Sequence, residues 1–195
     1  MPEPHLNRVA RDAMDATLQP MWDSGMERTG DATIIEVMAN APEVLRWYFQ
    51  EFYGGLFYNQ NPHMRLDVRT KELLRIKLSK QHGCQFCNRS NAIDAMAAGI
   101  TQHQIDAMRD PTPDLFDDKD MAVLDLAEQM MLQNMNGQLT KELYDRLRQH
   151  YDDKQIVEMG FVAAVLTGMA KWIFTFDMVD REEVCPIKPA SVAAE

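Results

Sequence analysis

At 195 residues and 46% hydrophobic side chains, the chain is sized for one domain that builds its own core without disulfide staples. Its net charge of −10 speaks against duplex nucleic acid and anionic membranes, which need clustered Lys and Arg, and reads as a device for solubility. No run of about 18 apolar residues stands out, and the charged start MPEPHLNRVARDAMD lacks an apolar signal centre, so neither a membrane span nor export is expected.

Helix signals dominate along the chain. HLNRVARDAMDATL has apolar residues at helical spacing, and DATIIEVMANAPEVLRWYFQEFYGGLF reads as two short helices. Pro42 suits the first turn of the second of these, and Gly54-Gly55 weakens its end before the loop NQNPH. From Asp67, DVRTKELLRIKLSKQHG presents Val68, Leu73, Leu74, Ile76 and Leu78 on an apolar stripe, with Gly83 as its stop. CQFCNRSNAIDAMAAG restarts a helix to Gly99, and Thr101 caps TQHQIDAM. DPTPD is a linker. DDKDMAVLDLAEQMMLQNMNG is a long amphipathic helix, and Thr140 caps KELYDRLRQHY. DDKQIVEMGFVAAVLTGMAKWIFTFDMV is apolar nearly all round, which predicts the buried helix or a subunit interface. No segment alternates like a strand. The expectation is an all-α, multi-helix bundle: one domain over 1–180, with a loose tail at 181–195. The fifteen methionines read as adaptable core filling.

Two of the three cysteines, Cys84 and Cys87, form a C-x-x-C. Three cysteines are too few for an extracellular scaffold, so a cytoplasmic setting is expected, where such a pair is catalytic or metal-binding rather than structural. Haem attachment needs His after the second cysteine, and position 88 is Asn. Structural zinc needs four ligands, and His82, His103, His150 and Cys185 stand in no paired spacing. A thioredoxin-like site needs strands. Neither a metal nor a cofactor is therefore expected. An inert pair and a helical dithiol stay open. Cysteines three apart share one helix face, and a helix N-terminus favours a thiolate. Cys185, in the tail, is expected to be a bystander.

The segment RTKELLRIKLSKQHGCQFCNRSNAIDAMAAGITQHQIDAM resembles the core of the carboxymuconolactone decarboxylase and alkyl hydroperoxidase D-like superfamily. The match consists of Glu72, then Gly83-Cys84-x-x-Cys87, then a helix ending in Ala98-Gly99, and the likeness extends over about residues 30–178. It implies an all-α fold, a homo-oligomer such as a trimer or hexamer, and peroxidase or disulfide-reductase chemistry. It also implies Glu72, Cys84 and Cys87 as catalytic residues, with Cys87 the attacker and Cys84 the outer sulfur. The chain departs from the family pattern at two places. The histidine four residues after the second cysteine is Asn91, and the one before that cysteine in some members is Phe86. Asparagine can hydrogen-bond a thiolate but cannot take its proton, so peroxidase activity is expected to be weak. His82 is the candidate substitute base, with a helix C-terminal role as its plainer alternative.

The expected reaction partners are a peroxide or small organic substrate and a dithiol protein or low-molecular-weight thiol. Two other readings remain open. One is a lactone lyase of the decarboxylase branch, for which His63, Arg65, Arg69 and His82 would supply base and anion binder and RWYFQEFYGGLFY an apolar wall. The other is a helical oligomer whose dithiol is vestigial.

Overall fold

The computed structural model describes residues 3–182; most of the expected tail, including Cys185, lies outside the described residues. The all-α expectation holds. Among the described residues every regular element is helical apart from an isolated antiparallel bridge between Cys84 and Arg181.

The start differs from expectation. HLNRVARDAMDATL holds only a 3-10 turn at Arg11–Ala13, and the first helix, α1, is Gln19–Thr29. The early backbone and side chains bond elsewhere. Val9 N–H donates to the Glu36 carbonyl at 3.1 Å, and Asp15 Oδ1 accepts from the Thr17 N–H at 2.8 Å. Local side-chain bonds of this kind compete with a helix.

Helices α2 (Thr33–Met38) and α3 (Pro42–Arg46) follow, and α3 runs directly into a π-helix at Trp47–Phe57. Its wider turn brings rings five residues apart together: Tyr48 meets Tyr53 edge-on at 5.1 Å, and Tyr53 stacks on Tyr58 at 6.1 Å. Gly54 fits this bend because a Cβ there would stand 2.8 Å from Gln60 Oε1. π-Helical turns are rare and gather at functional sites.

Helix α4 (Val68–His82) is the centre of the molecule. Asp67 caps its start by accepting from the Thr70 N–H, and Gly83, with φ 65°, ends it as the sequence predicts. Helices α5 (Gln85–Ala97), α7 (Asp118–Gln129) and α9 (Asp153–Thr175) all pack on α4. Helices α6 (Gln102–Asp106) and α8 (Lys141–Arg148) complete the set; Thr101 with Gln104 forms a capping box for α6, and Thr140 caps α8.

The sequence pattern predicts α9 to be the buried helix or to lie in a subunit interface; within the chain the most buried helix is α4. Leu73, Leu74 and Ile76 are fully buried there, and so are Lys71, Glu72 and Lys77. Those polar groups are tolerated because each is ion-paired or hydrogen-bonded. Lys77 meets Glu128 at 2.7 Å, and Lys71 Nζ donates to the Leu56 carbonyl at 2.6 Å. α9 buries Met159, Val162 and Ala163 in the core but leaves Val157 70% and Phe161 49% exposed. Contrary to the sequence reading, α9 is by length and composition apolar enough to cross a membrane, although one of its faces packs as a core helix. α7 ends at Gln129, earlier than expected. Asn134 Nδ2 donates to the Glu128 carbonyl, and Gly137 approaches the Gln129 carbonyl so closely that a Cβ would lie 1.9 Å from it.

Candidate active site

Gly83 in the left-handed conformation turns the chain so that Cys84 becomes the N-cap of α5. Cys84 Sγ accepts from the Cys87 N–H at 3.1 Å, and the two sulfurs are joined in a disulfide. When the pair is reduced, the same N–H and the helix dipole would favour a Cys84 thiolate.

Residues 180–182, at the boundary of the expected tail, lie across this turn. Gln85 N–H donates to the Asp180 carbonyl at 3.2 Å, and Glu182 N–H donates to the Gly83 carbonyl at 2.9 Å. Glu182 Oε1 accepts from Asn88 Nδ2 at 2.7 Å, and its Oε2 pairs with Arg109. This strap leaves Cys84 1% exposed and Cys87 half-buried. The resemblance implied that Cys84 would be the outer sulfur; here Cys84 is the covered one, because the chain returns over it.

Both cysteines line a cavity of about 570 Å³ between α1, the π-helix, α5 and α9. Phe49, Tyr53 and Phe86 contribute rings to its wall, and Ile34, Met169 and Ile173 contribute aliphatic surface. His82 and Asn91 also line it. The Asn91 side chain makes no hydrogen bond among the described residues and sits one turn beyond Cys87 on α5. His82 is buried, and its Nε2 accepts from the Leu132 N–H at 3.2 Å. A neutral imidazole has one ring lone pair, so this bond uses the group a base would need. Burial pushes its pKa down to about 4, which keeps the ring neutral.

Glu72 is fully buried and does not line the cavity. It sits behind Arg75, which donates to it from Nε at 2.9 Å and from a terminal nitrogen at 2.8 Å. Burial raises the Glu72 pKa to about 7 against the opposing attraction of Arg75. Arg75 also donates to Asp94 Oδ2 at 2.9 Å, and that oxygen takes a further bond from Arg28 at 2.8 Å. Tyr58 OH lies 3.4 Å from both Glu72 Oε1 and Asp94 Oδ2. Arg75 and Asp94, which line the cavity, therefore stand between Glu72 and the cavity. Arg28, Tyr58, Arg75 and Asp94 were missed from sequence. A signal did exist, because Asp94 lies three residues after Asn91 and seven after Cys87, on one face of the helix.

Of the four residues considered for a lyase, His82 lines this cavity, while Arg69, Arg65 and His63 do not. Arg69 pairs with Asp120, Arg65 pairs with Asp152, and His63 is exposed. Among the described residues no group of three His, Cys, Asp or Glu side chains could hold a metal ion.

Comparison with known proteins agrees with this architecture. Residues 42–129 match the model of the carboxymuconolactone decarboxylase family. The uncharacterized protein YdfG of Bacillus subtilis (strain 168) is 33% identical over 94 residues, 48% of this chain and 63% of that protein, so the match leaves more than a third of the relative uncovered. An uncharacterized peroxidase-related protein from Ralstonia eutropha JMP134, described as an alkylhydroperoxidase AhpD core, superposes with a TM-score of 0.69 at 14% identity, covering 94% of each chain. The debrominase Bmp8, solved as a cysteine-to-alanine variant in complex with 2,3,4-tribromopyrrole, superposes with a TM-score of 0.65 at 19% identity, covering 93% of each chain. The family match spans Glu72, Cys84, Cys87 and Asn91, so over residues 42–129 this chain is similar to the carboxymuconolactone decarboxylase family, and it shares its fold with the alkylhydroperoxidase AhpD core.

Proposed function

We propose that the chain is a dithiol oxidoreductase that reduces a small organic substrate, with organic hydroperoxides as the first substrate class. The observation that supports this reading is the position of the bonded Cys84–Cys87 pair in the wall of an apolar cavity of about 570 Å³. That space holds an organic molecule, whereas hydrogen peroxide alone would not need it.

In the reduced enzyme, the Cys87 thiolate attacks the outer peroxide oxygen. The O–O bond breaks, and the departing alkoxide takes a proton and leaves as the alcohol. Cys87 is then a sulfenic acid. Cys84 attacks the Cys87 sulfur, the S–O bond breaks, and the hydroxyl leaves as water once protonated. The sum is one hydroperoxide and two thiols going to one alcohol, one water and the disulfide. A dithiol protein or a low-molecular-weight thiol in a reducing cytoplasm restores the pair by exchange, entering at the more exposed Cys87 sulfur. Cys84, already at the N-cap, is the better-stabilised leaving thiolate in that exchange.

A second reading, reductive removal of halogen from an aromatic ring, draws on the aromatic wall and on the debrominase that shares the fold. It would consume the same two thiols, exchanging carbon–halogen for carbon–hydrogen and releasing halide and a proton. A steady-state assay with dithiothreitol as reductant separates the readings. Cumene hydroperoxide consumption lost in both Cys84→Ser and Cys87→Ser supports the first. Halide release from a brominated phenol with no hydroperoxide turnover supports the second. Turnover unchanged in both serine variants would remove the dithiol from either reaction.

A further inference from the structure

The end of the cavity away from the cysteines is built around one carboxylate. Asp94 lies on α5 seven residues beyond Cys87, about 10 Å along the same helix face. Three donors converge on a single oxygen of it: Arg28 at 2.8 Å, Arg75 at 2.9 Å and Tyr58 OH at 3.4 Å all meet Oδ2. The other oxygen, Oδ1, carries no hydrogen bond among the described residues. The side chain is 22% exposed and lines the cavity, so its orientation is fixed from behind while one acceptor stays open.

The two guanidiniums are committed. Arg75 holds Glu72 with two bonds, and Arg28 also donates to the Ser90 carbonyl at 3.1 Å. They hold the Asp94 side chain in one orientation rather than offering themselves to an anion. The cavity wall includes the apolar and aromatic side chains of Phe49, Tyr53 and Met169, with Ser90 and Asn91 on α5 between this point and Cys87. A molecule matching this surface has an apolar, ring-sized body and a polar donor at one end.

We propose that Asp94 Oδ1 is the recognition point for an O–H or N–H donor on the substrate. The substrate class is then an aromatic compound bearing a hydroxyl or azole N–H, with its reducible group at the opposite end, beside Cys87. This rests on the reading that the cavity is the reaction chamber, but it concerns binding and is tested without turnover.

The test is calorimetric titration of the oxidised protein with three two-ring probes: 4-hydroxybiphenyl, 4-methoxybiphenyl and biphenyl-4-carboxylate. A hydrogen bond accepted by Asp94 Oδ1 predicts that the hydroxyl compound binds about tenfold or more tightly than the methoxy compound, and that the carboxylate binds weakest. Asp94→Asn sharpens the test. The three donors hold the amide oxygen at the Oδ2 position, so the NH₂ takes the place of Oδ1 and an acceptor becomes a donor. The preference for hydroxyl over methoxy should vanish in that variant. It should persist in Arg28→Ala, which leaves Oδ1 unchanged. Equal binding of the hydroxyl and methoxy probes by the parent, tightest binding of the carboxylate, or no binding of any probe would each overturn the proposal, whether or not the variants fold. Loss of the preference alongside an intact dithiol cycle removes this subsite alone. An intact preference alongside an inert dithiol removes the reaction reading alone.

Discussion

Cys84 and Cys87 differ in what surrounds them more than in their spacing. Cys84 has the helix N-terminus and the Cys87 N–H, while Cys87 has the cavity and Asn91 one turn on. Asn91→His would place a titrating ring on that face. It should lower the apparent thiol pKa and speed alkylation of the reduced protein near neutral pH, because an imidazolium stabilises a thiolate and a neutral imidazole accepts its proton. A pH series of iodoacetamide alkylation reads this directly, and an unchanged profile would mean that position 91 does not act on the sulfurs. The two strongly shifted groups nearby have opposite linkage. Glu72, raised from 4.5 to about 7, holds its proton in the fold, so its contribution to stability falls as pH rises from about 4.5 to 7. His82, lowered from 6.5 to about 4, is neutral in the fold, so its contribution is present above 6.5 and is lost as pH falls towards 4. The two nearly cancel over one window. Denaturation at stepped pH should find Glu72→Gln gaining stability relative to the parent as pH rises from 4.5 to 7, and His82→Gln losing it, each by about 2–3 kcal/mol across the window. Parallel curves for all three proteins would contradict both assignments.

The elements that position the dithiol are α4, the Gly83 turn, the N-terminus of α5 and the strap at residues 180–182. Glu182 ties the strap to Asn88 and Arg109. Glu182→Ala should loosen the cover over Cys84 and raise its alkylation rate in the reduced protein about tenfold, with Cys87 changed less, because local opening governs access to a covered group. Mass mapping of the two alkylated cysteines checks this; unchanged Cys84 reactivity would show that the strap does not guard it. Much of this local architecture is legible in the sequence. Gly83 as a stop, Cys84 at the head of a helix, and Thr101 and Thr140 as caps all follow from short-range rules, and all are present. What the sequence hides is long-range pairing. HLNRVARDAMDATL has helical spacing, but its backbone is held by Glu36 and its Asp15 bonds locally. The central role of α4 is masked by Lys71, Glu72, Arg75 and Lys77, whose charges look solvated until their partners are known. Asp94 was passed over for the same reason: its importance comes from Arg28, Tyr58 and Arg75, which lie on other elements.

For the molecule as a whole, α9 carries an exposed apolar face. Val157, Phe161, Ala164 and Gly168 are exposed and recur at helical spacing, forming an apolar face edged by small residues that would let another helix approach closely. We expect this face to meet a second copy of the chain. Sedimentation at micromolar concentration should give a species heavier than the 22.4 kDa monomer, and Phe161→Arg should shift it towards that mass. A parent that sediments as a monomer would remove the expectation. Whatever the assembly, the account depends on the dithiol consuming a substrate in its cavity. The most direct measurement is a single turnover: fully reduced protein is mixed anaerobically with one equivalent of cumene hydroperoxide, then quenched for thiol counting and peptide mapping. The account predicts one equivalent of cumyl alcohol for each Cys84–Cys87 disulfide formed, with Cys185 still reduced. Alcohol formed without that disulfide, or a disulfide that includes Cys185 instead, would contradict it.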